Sequence, residues 1–260
     1  MSASDDDRLA ALQIVLVRAQ NPSALTLSGT NTWVVARDPA WVIDPGPSSP
    51  EHLVRIVDAV GARGGAGAVL LTHDHADHSE SAAELARTLD APLAGARGDV
   101  DLLVHDGDRV GPLEALATPG HATDHLAFVF GRACFTGDAV LGEGSVFIAP
   151  APGAMAGYLR GLARLRERDL EVLCPGHGPP VWDPPAKLDA YVEHRLERER
   201  RLLGALDEGR RSVDELLDAA WSEVPPALRP VAAVTLTAHL DKLADEGRLP
   251  EGVQRPVGGF

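Results

Sequence analysis

The chain has 260 residues, 45% of them hydrophobic, and a net charge of -14, so it can bury a sizeable core as one large domain or as a domain with a small appendage. This balance excludes a disordered chain and disfavours a broad polyanion-binding surface, which needs an excess of Lys and Arg. No run reaches the ~18 apolar residues of a membrane span, and the acidic start MSASDDDRLA is unlike a secretory signal, so a cytoplasmic protein without membrane attachment is expected.

Up to about residue 180 the sequence alternates short apolar runs with Gly, Pro and Asp turns: LQIVLV, NTWVVA, AWVID, AVLLT, APLAG, LEALATPG, HLAFVFG, ACFTGD and LEVLCPGHG. Most are four to six residues long, and several are apolar on both faces, as buried strands are. Helical spacing intervenes at 51–60, 79–89 and 155–168, which predicts an α/β layer architecture. The glycine-rich GARGGAG at 61–67 leads into a strand and not a helix, so it is a turn and no phosphate cradle. Cys134 and Cys174 stand in apolar runs without a CxxC and are expected to be free, buried thiols.

Beyond PPVWDPP the pattern changes. Leu188, Tyr191, Val192, Leu196, Leu202, Leu203 and Leu206 form a helical stripe with paired charges outside it. Ser212 and Glu215 make a capping box for a second helix, and Pro230 and Gly247 bracket a third. The expected domains are 1–184, carrying the chemistry, and 185–260, a small helical domain.

The chemistry is concentrated in LLTHDHADHSE. His73, His75, Asp77 and His78 follow an apolar strand, and imidazole with carboxylate is the donor set of Zn²⁺ and similar ions. Three more apolar runs end in a small residue and then a potential ligand: His121 after LEALATPG, Asp138 after ACFTG and His177 after LEVLCPG. In a layered α/β fold, ligands at strand ends converge on one edge.

THDHADH, PGH, GD and PGHG, in this order, resemble the metal-binding motifs of the metallo-β-lactamase superfamily, of its hydrolase type. The resemblance implies a four-layer αββα sandwich over residues 10–180. It also implies two divalent metal ions: His73, His75 and His121 on one, Asp77, His78 and His177 on the other, and Asp138 bridging both. Zn²⁺ is the expected metal, with Mn²⁺ or Fe²⁺ as alternatives. The finer pattern PGHATDH, GDAVLGEGS, PGHGP and AYVEHRLERERRLL is similar to the β-lactamase-like-protein-2 branch, whose C-terminal extension is winged-helix-like. Members of that branch are described as endoribonucleases on single-stranded RNA and, in biosynthetic relatives, as thioesterases.

The expected enzyme is therefore a dinuclear hydrolase using a metal-bridging hydroxide, with single-stranded RNA slightly ahead of an acyl-carrier, CoA or glutathione-type thioester as substrate. A nucleic-acid-binding protein with a merely structural metal site is the alternative of another class. Asp77 is the expected proton acceptor or shuttle, and His125 the candidate proton donor to a leaving oxygen. Asp44 is expected to orient the metal loop, and Glu143, Ser145, Asn31 and Thr32 are weaker candidates for the pocket wall. Arg195, Arg198, Arg200, Arg201, Arg210 and Arg211 form the one basic cluster, which their acidic neighbours neutralise in large part. His52, His105, His194 and His239 are expected at the surface.

Overall fold

The computed structural model describes residues 4–256. The chain forms two compact units. The first gathers the chain up to Ala117, Asp124–Gly144 and Arg168–Pro184; the second gathers Thr118–Thr123, Ser145–Glu167 and the chain from Pro185 on. The second unit thus takes in 118–123 and 145–167 as well as the tail.

The first unit holds two mixed sheets. One contains β1 (Ile14–Arg18), β2 (Asn31–Val35), β3 (Ala40–Ile43), β4 (Ala66–Leu70), β5 (Leu93–Gly95) and β6 (Leu102–Leu103), in that order. The other runs β11 (Val172–Pro175), β10 (Ala133–Gly137), β9 (Leu126–Phe130), β8 (Leu113–Ala117) and β7 (Arg109–Val110). The runs read as strands all form strands; β6 and β7 are two-residue edges with too little pattern to predict. Helices α1 (Asp5–Ala11), α2 (Pro50–Gly61), α3 (Ala76–Ser79) and α4 (Ala82–Thr88) complete the unit.

In β2, Asn31–Val35, every residue is buried. Trp33 and Val35 enter a core with Ile43, Leu70, Phe128, Phe135 and Val172, drawn from both sheets. Val34 points the other way, to Ile56, Val60 and Leu85 of α2 and α4. This two-faced burial is why the strands are apolar throughout instead of alternating. Cys134 and Cys174 are buried free thiols, as expected, and burial pushes the Cys134 thiol up to about 12.

The expected helix over 79–89 is broken in two. Ser81 sits between α3 and α4 and donates its hydroxyl to the Gly46 carbonyl at 2.9 Å, which pins the chain where a continuous helix would run.

The second unit is helical: α5 (Ala154–Arg166), α6 (Pro184–Asp207), α7 (Val213–Ala220), a 3₁₀ turn at Pro226–Leu228 and α8 (Arg229–Asp245). Leu202, Leu206, Leu216, Leu217, Trp221, Leu236, Leu240 and Leu243 pack its core. Ser212 and Glu215 cap α7 reciprocally. Among the described residues no strand follows β11, and none of their helices is long and apolar enough to cross a membrane.

Candidate metal centre

The expected ligands of the first unit stand at the ends of β4, β10 and β11. His73 and His75 follow β4 closely, and His75 is the N-cap of α3, so Asp77 and His78 lie in its first turn. Asp138 follows the last residue of β10, and His177 is two residues beyond β11. The chain thus brings two donor groups together, His73–His78–Asp138 and Asp77–His78–His177. His121 belongs to the second unit, in the segment joining β8 to β9.

The imidazoles are oriented by what their far nitrogens touch. His78 Nδ1 lies 2.9 Å from Asp44 Oδ2, and His73 Nδ1 lies 3.0 Å from Thr72 Oγ1. That hydroxyl donates its own proton to Asp44 Oδ2 at 2.8 Å, so His73 is the donor in the pair. His177 Nδ1 faces the Gly29 carbonyl at 3.4 Å, and His121 Nδ1 faces the Phe147 carbonyl at 3.3 Å. In each case Nδ1 faces an acceptor and therefore carries the proton, which leaves the Nε2 lone pair for a cation.

These lone pairs converge. His73 Nε2 is 3.1 Å from His75 Nδ1, and His78 Nε2 is 3.3 Å from His177 Nε2. Asp77 Oδ2 and Asp138 Oδ2 lie 3.2 and 3.4 Å from His177 Nε2. Lone pairs facing one another in a buried place repel unless a proton or a cation stands between them. The nitrogen and oxygen donors suit Zn²⁺, Mn²⁺ or Fe²⁺. Gly176 keeps the cradle open, because a Cβ there would lie 2.5 Å from Asp138 Oδ1 and 2.6 Å from His78 Cε1. The residues fit a metal.

The charges of the cluster act on one another. Burial would raise the Asp138 carboxyl, but the imidazoles of His78 and His177 hold it well below the usual carboxylate range. Burial would lower His177, and hydrogen bonds to Asp138 and Asp77 push it up to about 9 instead. Asp77 is lowered too, against its partial burial, by His177 and His78.

Asp44 takes the orienting place expected for it. Buried and at φ 52°, it accepts from the Thr72 amide at 2.8 Å as well as from the Thr72 hydroxyl and His78. His125 is buried and stacks on His73 with 5.0 Å between ring centres. Its Nε2 accepts the Asp138 amide at 3.1 Å, which fixes the backbone of an expected ligand. Asn31 and Thr32 do not line an open wall. Asn31 Nδ2 donates to the Pro175 and Gly178 carbonyls, steadying the His177 loop, and the Thr32 hydroxyl donates to the Asp44 carbonyl. Glu143 and Ser145 are exposed. Asp74 is solvent-facing and paired with Arg97.

Two histidines expected at the surface are buried. His52 shares the inner face of α2 with Ile56 and Val60 and packs its Nε2 2.9 Å from the Thr32 hydroxyl. His239 shares the inner face of α8 with Leu236, Leu240 and Leu243. Their spacing of four along each helix carried that signal. His105 is exposed and His194 half-buried.

The basic cluster of the tail differs from a solvated face at two positions. Arg195 and Arg198 are only 2% and 6% exposed. Arg198 donates to the Ala220 carbonyl and to Glu223. Arg200 and Arg201 pair with Glu197 at 2.8 Å each, Arg210 pairs with Glu208, and Arg211 donates to the Leu206 carbonyl.

The metallo-β-lactamase superfamily profile matches residues 25–107 and 98–177, and the profile of the β-lactamase-associated winged helix domain matches 212–251. The chain belongs to the metallo-β-lactamase superfamily, in its hydrolase type, with a C-terminal winged-helix domain. Over 91% of its length it is 27% identical to the β-lactamase-like protein 2 homolog of Drosophila melanogaster, covering 89% of that protein. It is 31% identical over 82% of its length to the atrochrysone carboxyl ACP thioesterase of Aspergillus chevalieri, covering 74% of it. The fold is shared with a β-lactamase domain protein from Burkholderia ambifaria, at a TM-score of 0.76 and 20% identity, over 93% of this chain and 90% of that one.

Proposed function

We propose that this protein is a hydrolase that uses two divalent metal ions to cleave an acyl thioester. His73, His75 and His121 are assigned to one ion, Asp77, His78 and His177 to the other, and Asp138 to both. Bound there, such ions would supply Lewis-acid polarisation of a carbonyl oxygen and lower the pKa of water to about 7. Seven donors are more than one structural zinc ion takes, which supports two neighbouring ions sharing Asp138, the arrangement that two-metal hydrolysis uses.

The chain's own residues have distinct tasks. Asp44 and Thr72 hold the far nitrogens of His78 and His73, so that both present Nε2. Asp77 is assigned the proton acceptor role: its side chain is 33% exposed against 11% for Asp138, so it can pass a proton to solvent. His125 is assigned to the placement of Asp138; donating to a leaving oxygen from Nε2 would require it to release the amide it holds.

The observation that carries the thioester over RNA is the state of the six tail arginines. Each is engaged with a carboxylate or a carbonyl of the protein, five of them within the tail and Arg195 at the Val146 carbonyl, in a chain of net charge -14. The similarity to an ACP thioesterase points the same way. Single-stranded RNA remains the second reading through the resemblance to the β-lactamase-like-protein-2 branch. With roughly two or three phosphates neutralised, its binding would follow a shallow salt slope of about -0.7 per phosphate.

The test is a panel of acyl-pantetheine, acyl-CoA and acyl-glutathione thioesters beside single-stranded RNA, with zinc-loaded protein and its Asp77→Asn variant. Thioester turnover that falls at least about 100-fold in the variant is expected. Metal-dependent RNA cleavage with no thioester turnover would overturn the thioester assignment.

A further inference from the structure

Arg195 of α6 is one of the most deeply buried cations of the chain, at 2% exposure. No carboxylate pairs with it among the described ion pairs, and its Nε has no hydrogen-bond partner. A buried guanidinium on neutral partners costs stability that an apolar side chain of the same size would not. Its partners therefore indicate its use. Arg195 donates to the Val146 carbonyl, hydrogen-bonds the Tyr158 side chain and lies 5.4 Å from the centre of that ring.

Both partners lead to His121. The carbonyl of Phe147, next to Val146, faces His121 Nδ1 at 3.3 Å, and the Phe147 ring packs on the imidazole at 4.5 Å between centres. Tyr158 backs the residue before the ligand: a Cβ at Gly120 would lie 2.6 Å from Tyr158 Cβ, so the PGH turn closes onto that side chain only with glycine there. The segment is also held from α8, where the buried Thr235 hydroxyl accepts the Ile148 amide at 3.2 Å. The Ala149 amide returns to the Gly120 carbonyl at 2.8 Å.

We infer that Arg195, seconded by Thr235, is a positioning residue for the metal ligand His121. Through Val146 and Tyr158 it sets the 146–149 segment, whose Phe147 carbonyl holds the proton on His121 Nδ1 and turns Nε2 to the metal. Within the second unit, the tail then supplies the support for a ligand that lies far from it in sequence. The acceptor directly on a ligand imidazole, here the Phe147 carbonyl, is commonly worth 10–100-fold in metal affinity, and Arg195 holds that acceptor in place. The inference rests on the assignment of His121 as a ligand.

The experiment uses the full-length protein, stripped of metal and titrated with Co²⁺ against a competing chelator, with the visible spectrum of bound Co²⁺ recorded. Arg195→Met should weaken one of the two ions at least tenfold, alter its spectrum, and leave the other within about threefold. Arg195→Lys should restore the affinity only in part, because a single ammonium cannot serve the carbonyl and the phenol as the planar fork does. In a His121→Ala background, Arg195→Met should leave the affinity of the remaining ion unchanged.

Equal weakening of both ions, wild-type affinity in Arg195→Met, or a further loss in the His121→Ala background would each overturn the inference. Should Arg195→Met not fold, Thr235→Val, which removes one hydrogen bond at constant shape, must show the same selective loss, and its absence would count equally against it. Failure of the wild-type protein to bind Co²⁺ would instead refute the metal site itself.

Discussion

Asp44 Oδ2 lies 2.9 Å from His78 Nδ1 and 2.8 Å from the Thr72 hydroxyl, while the same hydroxyl receives His73 Nδ1. One buried carboxylate therefore orients two imidazoles. Asp44→Asn would present an amide N–H to donors that need an acceptor. Metal affinity is expected to fall about 10–100-fold, measured by chelator competition, with the far-ultraviolet circular dichroism kept. Unchanged affinity would mean that backbone geometry alone sets the rings.

His177 makes the metal-free protein sensitive to alkali. Against its burial, hydrogen bonds to Asp138 and Asp77 raise it from the ordinary imidazole value of 6.5 to about 9. Its contribution to stability is therefore complete below pH 6.5 and is lost as pH rises through 9. Metal reverses the dependence, because a ligating imidazole must be neutral, so affinity weakens as pH falls and loading releases protons. Calorimetric titration of metal into stripped protein, in buffers of different ionisation enthalpy, should report that release near pH 7.

His239 has the opposite sign. Burial first, and then the charges of Arg195 and Lys242, lower it to about 3. Both states are neutral above pH 6.5; below it the unfolded chain takes up a proton that the folded one refuses. Stability should fall by about 1.4 kcal/mol per pH unit between pH 6.5 and 3 from this group. His239→Gln should flatten the decline in urea titrations repeated across that range.

The arginines of α6 separate by burial. Arg198→Ala removes the donor to the Ala220 carbonyl and to Glu223 and should cost about 2 kcal/mol or more. Arg201→Ala, at an exposed pair with Glu197, should cost under about 1 kcal/mol. Urea midpoints of the two variants check the contrast. It also bears on substrate: a loss of RNA binding in Arg198 variants would report unfolding, whereas Arg201→Glu probes the surface.

Much of this was legible in the sequence because strand-end ligands are a local pattern. THDHADH, GD and PGHG each follow an apolar run, and the runs became β4, β10 and β11. The motifs could not show the partners of His125, since the Asp138 amide is 13 residues away and meets it only through the pairing of β9 with β10. The tail helix misled in another way. Arg195 and Arg198 alternate with glutamates as a solvated face does, and nothing local says that two of the six arginines turn inward to carbonyls of distant segments. The burial of His52 and His239 was visible as a spacing of four from Ile56 and Leu243, once histidine is allowed to count as a core residue.

The histidine and aspartate cluster is proposed to work as a pair of metal sites. Stripped protein titrated with Zn²⁺ while acyl-thioester hydrolysis is followed tests it most directly. Turnover should be absent without metal, rise with added Zn²⁺ and level off at two equivalents per chain. Full turnover at one equivalent, or turnover indifferent to metal, would contradict it.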